Sequence, residues 1–161
     1  MFQMNITVIC VGKIKEKFFT DAISEYLKRL SRFAKCEIIE IKDEKIPDNA
    51  SEKECAQILE KEGSGILAKI PKGSYVIPLC IEGEQLSSPA FADKIKYISM
   101  EASHITFIIG GSLGLWDNVK KAGSFRISFG KMTLPHQLMR VVLLEQLYRA
   151  FKIANNESYH K

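Results

Sequence analysis

Residues 125–151, FRISFGKMTLPHQLMRVVLLEQLYRAF, carry the reading from which the fold follows. A short apolar run breaks at the turn formed by residues 130–135 (GKMTLP), and a helix begins. Pro135 suits a first helical position, where its missing N–H has no acceptor to serve. Leu138, Val141, Val142, Leu143, Leu144, Leu147, Tyr148 and Phe151 cover more than one stripe at the helical period. A one-sided surface helix needs a single stripe. This helix is therefore expected to be covered on two sides, by its own sheet and by a second subunit. Glu145 and Arg149 make a surface-type pair four residues apart. His136 and Arg140, also four apart, stack on a different face beside the turn, near the positive end of the helix dipole. Turn and helix start read either as a capped interface helix or as one wall of a site.

Upstream, apolar runs alternate with helical patterns. Residues 6–11 (ITVICV) form a continuous apolar run ending at Gly12, which predicts a buried strand. Phe18, Phe19, Ala22, Ile23, Tyr26, Leu27 and Leu30 then recur at helical spacing. Residues 37–41 predict a second strand. Ser51 and Glu54 have the spacing of a capping box and open a helix to about Lys69, although Gly63 and Gly65 weaken its second half. Residues 75–81 (YVIPLCI) predict a third strand, in which Pro78 argues for an edge position or an early end. Ser87 to Pro89 open a helix over residues 89–101, with Phe91, Ile95 and Ile98 inward. A fourth strand, residues 104–109 (HITFII), breaks into GGSLG at residues 110–114, and a short helix follows around residues 116–121. Strand and helix thus alternate five times. That order predicts one α/β domain over residues 1–161, a parallel sheet covered on both faces. Right-handed crossovers would give an open, doubly wound sheet.

The 161 residues suffice for a single core, and 46% hydrophobic with 26% charged residues is ordinary for a soluble globular protein. A net charge of +4 fits an anionic partner without demanding one. Cys10, Cys36, Cys55 and Cys80 show no C-x-x-C and no histidine at metal spacing, which predicts reduced thiols in a cytoplasmic protein and no metal. No apolar run approaches the ~18 residues of a membrane span, and the start lacks a signal peptide's plan.

In parallel sheets of this kind ligands sit beyond the carboxyl ends of the strands. Three loops arrive there: residues 79–83, 110–114 and 129–135. The glycines of the second permit close backbone approach to a flat ligand. They do not form G-x-G-x-x-G, they follow a late strand, and there is no P-loop, which argues against a pyrophosphate site. Taken alone, the cluster reads equally as a structural turn.

Residues 108–112 (IIGGS), 128–137 (SFGKMTLPHQ), 140–150 (RVVLLEQLYRA) and 159–161 (YHK), with the opening residues 5–17 (NITVICVGKIKEK), together resemble the RlmH family of SPOUT-class methyltransferases. The resemblance spans nearly the whole chain, with three residues before the family's usual start at Met4. It implies a single-domain parallel-sheet α/β/α fold with a C-terminal trefoil knot, which general topology rules would disfavour. The implied cofactor is S-adenosylmethionine, held by Leu79, Gly110, Phe129, Gly130, Lys131, Met132, Thr133 and Leu134. The implied reaction is methylation of N3 of a pseudouridine in large-subunit (23S) ribosomal RNA on the assembled ribosome, by a homodimer. Uracil-type N3–H is weakly acidic, so its proton must be taken or its anion stabilised. Arg140 would offer fixed positive charge to that anion. His160 would act as base or hold the pyrimidine edge, with Tyr159 beside it, whereas His136 reads as a helix-start group.

RNA contact is expected from Lys13, Lys15 and Lys17, and from Lys28, Arg29, Arg32 and Lys35, although each cluster also reads as a solvated face. Two competing readings stand beside this one. A catalytically silent ribosome- or RNA-binding module on the same fold need not bind the cofactor. A flavodoxin- or Rossmann-like nucleotide binder should carry a glycine fingerprint after its first strand, and this chain has none.

Overall fold

The computed structural model describes residues 3–158, and along them five strands alternate with five helices. In chain order these are β1 (Met4–Val11), α1 (Lys17–Leu30), β2 (Ala34–Ile41), α2 (Glu52–Lys69), β3 (Tyr75–Gln85), α3 (Ser88–Glu101), β4 (His104–Ile109), α4 (Asp117–Ala122), β5 (Ile127–Ser128) and α5 (His136–Ala154). Every strand pairing is parallel, in the order β2-β1-β4-β3-β5. β1 lies inside the sheet and is buried along nearly its whole length, which is why it reads as an unbroken apolar run.

Two apolar layers hold the helices to the sheet. On one face Ile6, Val8, Ile77 and Phe107 pack with Leu143, Leu144 and Leu147 of α5, together with α1 and α3. On the other, Ile9, Val11, Val76 and Ile108 meet Ile66 of α2 and Val119 of α4. α5 runs between α1 and α3. Phe151 near its end stacks almost parallel on Phe33, with ring centroids 5.6 Å apart. Much of the excess apolar surface of α5 is thus met by its own neighbours, while Leu138, Val141 and Val142 stay half-buried.

Several local expectations are revised. α2 runs unbroken through Gly63 and Gly65. The reason is packing: a Cβ built on Gly63 would lie 2.6 Å from Cε3 of Trp116. Glycine there lowers helix propensity but lets the Trp116 ring close against α2. Pro78 does not end the strand, and although β3 as a whole lies between β4 and β5, at Pro78 it is paired on the β4 side alone, since pairing with β5 begins at Leu79. It is the last β3 residue paired with β4; its lack of an N–H suits the point where the strand leaves that ladder for β5. Phe18, at the helical spacing of a core residue, is instead 65% exposed, its ring resting on Phe19 in the first turn of α1.

The Gly63–Trp116 contact makes Gly63→Ala a test of packing against propensity. Propensity alone would stabilise the helix by about 1 kcal/mol. Steric crowding should reverse the sign, for a net loss of about 1–3 kcal/mol. Urea unfolding should give a lower midpoint with an unchanged slope, and a raised midpoint would refute the contact.

Candidate active site

Because β4, β3 and β5 are adjacent, the loops at their carboxyl ends open onto one edge of the sheet. They enclose a cleft of about 750 Å³ lined by Leu79, Gly110, Phe129, Gly130, Met132, Thr133 and Leu134, and closed on one side by Pro135 and His136 at the start of α5. Seven of the eight residues expected around a cofactor are therefore brought together. Lys131 shares the turn, but it is exposed and does not line the cleft.

Local chemistry shapes each wall. β5 stops after two residues because the chain turns on Ser128, whose hydroxyl accepts from the Gly130 N–H at 3.2 Å. In the loop after β4 the Gly114 N–H donates to the Gly111 carbonyl at 3.0 Å, closing a tight turn. A Cβ on Gly110 would lie 2.6 Å from the Gly114 carbonyl oxygen, so only glycine fits at this crossing. The result is a wall of backbone and apolar side chains, including Ile109, Leu115 and Met139. Such a wall suits a flat heterocycle that takes its hydrogen bonds from main-chain groups.

Arg140 stands apart from the lining of this cleft. Its side chain is 1% exposed and does not line the cleft. One terminal nitrogen donates to Glu40 Oε2 at 2.7 Å, and the other donates to the Gly12 carbonyl oxygen at 2.7 Å. A guanidinium that is buried must be paired, and the ends of β1 and β2 supply both partners. It is thereby turned inward, onto Glu40 and the Gly12 carbonyl.

His136 lines the cleft and packs beside this arginine. Its Nδ1 is buried and has no hydrogen-bond partner among the described residues. Burial first, and then the neighbouring Arg140 charge, hold its pKa below the ordinary imidazole value of 6.5. The ring is therefore neutral at pH 7.

Pattern reading missed Glu82 and Lys120, the charged side chains among the described residues that line the cleft. They form an ion pair at 2.5 Å. Lys120 reads in sequence as a solvated face of a short helix, and only the packing of α4 turns it to the cleft. Tyr159 and His160 lie outside the described residues. Just before them, Glu157 accepts from Lys152 at 2.6 Å and from Arg32. Among the described residues no group of three or more His, Cys, Asp or Glu converges. No helix there is long and apolar enough to cross a membrane.

The His136 environment implies a pH dependence of stability. A histidine whose pKa is depressed on folding binds fewer protons than the unfolded chain as pH falls below 6.5, so native stability is lost in that window. Above 6.5 both states are neutral at this site and the effect vanishes. Urea unfolding from pH 7.5 to 5 should show a shallower decline for His136→Gln than for the wild type. Parallel curves would refute the buried neutral state.

Comparison with known proteins agrees with this architecture. Residues 4–160 match the family described as "Predicted SPOUT methyltransferase". A putative ribosomal RNA large subunit methyltransferase H from Methanococcus maripaludis is 56% identical over 98% of this chain and 100% of its own length. A ribosomal RNA large subunit methyltransferase H from Listeria monocytogenes is 55% identical over the same shares. Among solved structures, a probable methylase family protein from Haemophilus influenzae aligns with a TM-score of 0.52 at 11% identity, over 99% of this chain and 71% of that one. The tRNA (m1G37) methyltransferase from Aquifex aeolicus aligns with a TM-score of 0.52 at 17% identity, over 91% and 69%. At such identities the structures share the fold alone. The full-length matches, the alternating parallel sheet and the three-loop cleft agree, and the chain belongs to the SPOUT methyltransferases, in the RlmH family.

Proposed function

We propose that this chain is an S-adenosylmethionine-dependent methyltransferase of large-subunit (23S) ribosomal RNA, acting on N3 of a pseudouridine in the assembled ribosome, in the cytoplasm. The observation that carries the reading is the meeting of three loops around one cleft in a chain more than half identical to proteins named ribosomal RNA large subunit methyltransferase H. The cleft fits an adenosyl group in kind: the Gly110 backbone forms part of one wall, and Leu79, Leu115, Met132 and Leu134 offer apolar faces. Leu79, Gly110, Phe129, Gly130, Met132, Thr133 and Leu134 would hold the cofactor, with Lys131 at the rim. When bound, it would supply a methyl group already activated on a cationic sulfur, so the protein's task is alignment and proton removal.

The N3 proton of the acceptor needs a base. His160 is assigned that role, and Tyr159 is assigned to hold the pyrimidine beside it. Arg140 acts at one remove, by fixing the start of α5 and with it the turn that forms one cleft wall. The reach of the chain supports a homodimer. α5 begins at the cleft, and its 19 residues at ~1.5 Å each run roughly 28 Å away from it. Glu157 is tied at the far end to Arg32 and Lys152. From there the chain to His160 extends at most ~10 Å, too short to return. His160 is accordingly assigned to the cleft of a second copy.

Lys13 and Lys15, on the loop between β1 and α1, are assigned to RNA phosphates; Lys17 beside them pairs with Asp21 at 2.7 Å. Reversing all three lysines to glutamate should weaken ribosome binding about 10-fold or more at ~0.1 M salt, with cofactor affinity unchanged. Unaltered ribosome affinity in a filter or sedimentation assay would remove this loop from the RNA surface. For the reaction itself, ribosomes lacking the modification are incubated with methyl-labelled S-adenosylmethionine, and the RNA is mapped by mass. One methyl on N3 of a large-subunit pseudouridine is expected. Label on another nucleotide, or none, would overturn the assignment.

A further inference from the structure

The pairing of β3 with β5 contains an irregularity that aims a carboxylate into the cleft. Leu79 pairs with Ile127, and Glu84 then pairs with the same Ile127, so residues 80–83 are looped out of the ladder. Bulges of this kind next to active sites re-aim side chains. The loop returns tightly: the Glu84 N–H donates to the Arg126 carbonyl at 3.0 Å, and a Cβ on Gly83 would lie 2.6 Å from the Ile127 carbonyl carbon. Glycine at 83 is what lets the strand close behind the loop. Glu82, on this excursion, lines the cleft and is met by Lys120 from α4, whose side chain is only 21% exposed. Two elements distant in sequence thus place one ion pair on an otherwise uncharged wall.

Resting on the function proposed above, we propose that Glu82 is a specificity-determining residue that accepts hydrogen bonds from the ribose hydroxyls of the adenosyl group, oriented by Lys120. A carboxylate accepts on both oxygens, and Lys120 Nζ engages Oε1. The Lys120 hydrogen bond holds the carboxyl below its ordinary range, so it is ionised at neutral pH and donates nothing. Because its charge is already balanced by Lys120, it has no need of a further cation such as an amino-acid ammonium. A neutral vicinal diol supplies donors without adding charge, and no other charged acceptor among the described residues lines the cleft. A ligand lacking those hydroxyls would leave the Glu82–Lys120 pair without its donor, the situation in which polar sites discriminate best.

The test uses the full chain and calorimetry with S-adenosylhomocysteine and its 2′,3′-dideoxy analogue. Wild type should bind the analogue about 10-fold more weakly, Glu82 being half exposed and the contact of ordinary strength. Glu82→Ala should lose that preference by weakening the ribose ligand alone, leaving the analogue's affinity unchanged. Lys120→Met, which leaves the carboxylate in place but releases its orientation, should lose part of the preference. It also carries the test if thermal melts show Glu82→Ala to be unfolded. Equal binding of the two ligands by wild type would overturn the assignment while leaving the cofactor reading intact. Retention of the preference in Glu82→Ala, or equal weakening of both ligands, would likewise overturn it. Failure of wild type to bind either ligand would sink the cofactor reading and this inference with it.

Discussion

The site depends on one buried cation. Arg140 ties the first turns of α5 to the ends of two parallel strands, through Glu40 of β2 and the Gly12 carbonyl that follows β1. The same Glu40 carboxylate accepts from the Ile14 N–H at 3.2 Å, and Gln137 accepts from the Lys15 N–H at 3.1 Å. These bonds stitch the β1–α1 loop to the helix start, at the edge of the sheet where the cleft opens. A charge taken out of water this completely is tolerated only when its partners are well placed, so α5 has little freedom to slide. The turn from Ser128 to Pro135 inherits that position, because it joins a short strand in the sheet to a helix start locked in place.

Strand order does the rest. Three loops distant in sequence become neighbours because β4, β3 and β5 are consecutive in the sheet, although β4 and β3 are joined in the chain by a whole helical crossover. The sheet also explains the chemistry of the cleft. Its walls come from strand ends whose backbone groups have run out of ladder partners, and its glycines stand where chains cross too closely for a Cβ. The Glu82–Lys120 pair supplies the cleft's charged side chains among the described residues, beside the polar Ser112, Thr133 and His136.

Inert thiols fit the same picture. Burial pushes the pKa of Cys10 and Cys36 up to about 12, so neither is a thiolate at neutral pH. Both serve the core as small apolar side chains, Cys10 within it and Cys36 against it. Nothing about them calls for redox chemistry.

What the chain alone determined is local and one-dimensional. HITFII is a strand in any context that buries both its faces, and β4 has the bounds read for it. Ser51 and Glu54 cap α2 with both reciprocal hydrogen bonds, because that geometry spans three residues and needs no partner from elsewhere. The five-fold alternation, and the loops that meet at the cleft, follow from the same short-range rules and the parallel topology they impose. Arg140, Phe18, Gly63, Pro78 and Glu82 were decided by tertiary contacts. Arg140 turned inward because Glu40, a hundred residues away, lies 2.7 Å off. Gly63 is tolerated because Trp116 fills the space above it. Glu82 faces the cleft because Ile127 pairs twice with one strand. Periodicity records which side of an element is apolar, but it cannot record which distant residue will stand against it, and it is that residue's charge and shape that set the direction of a side chain.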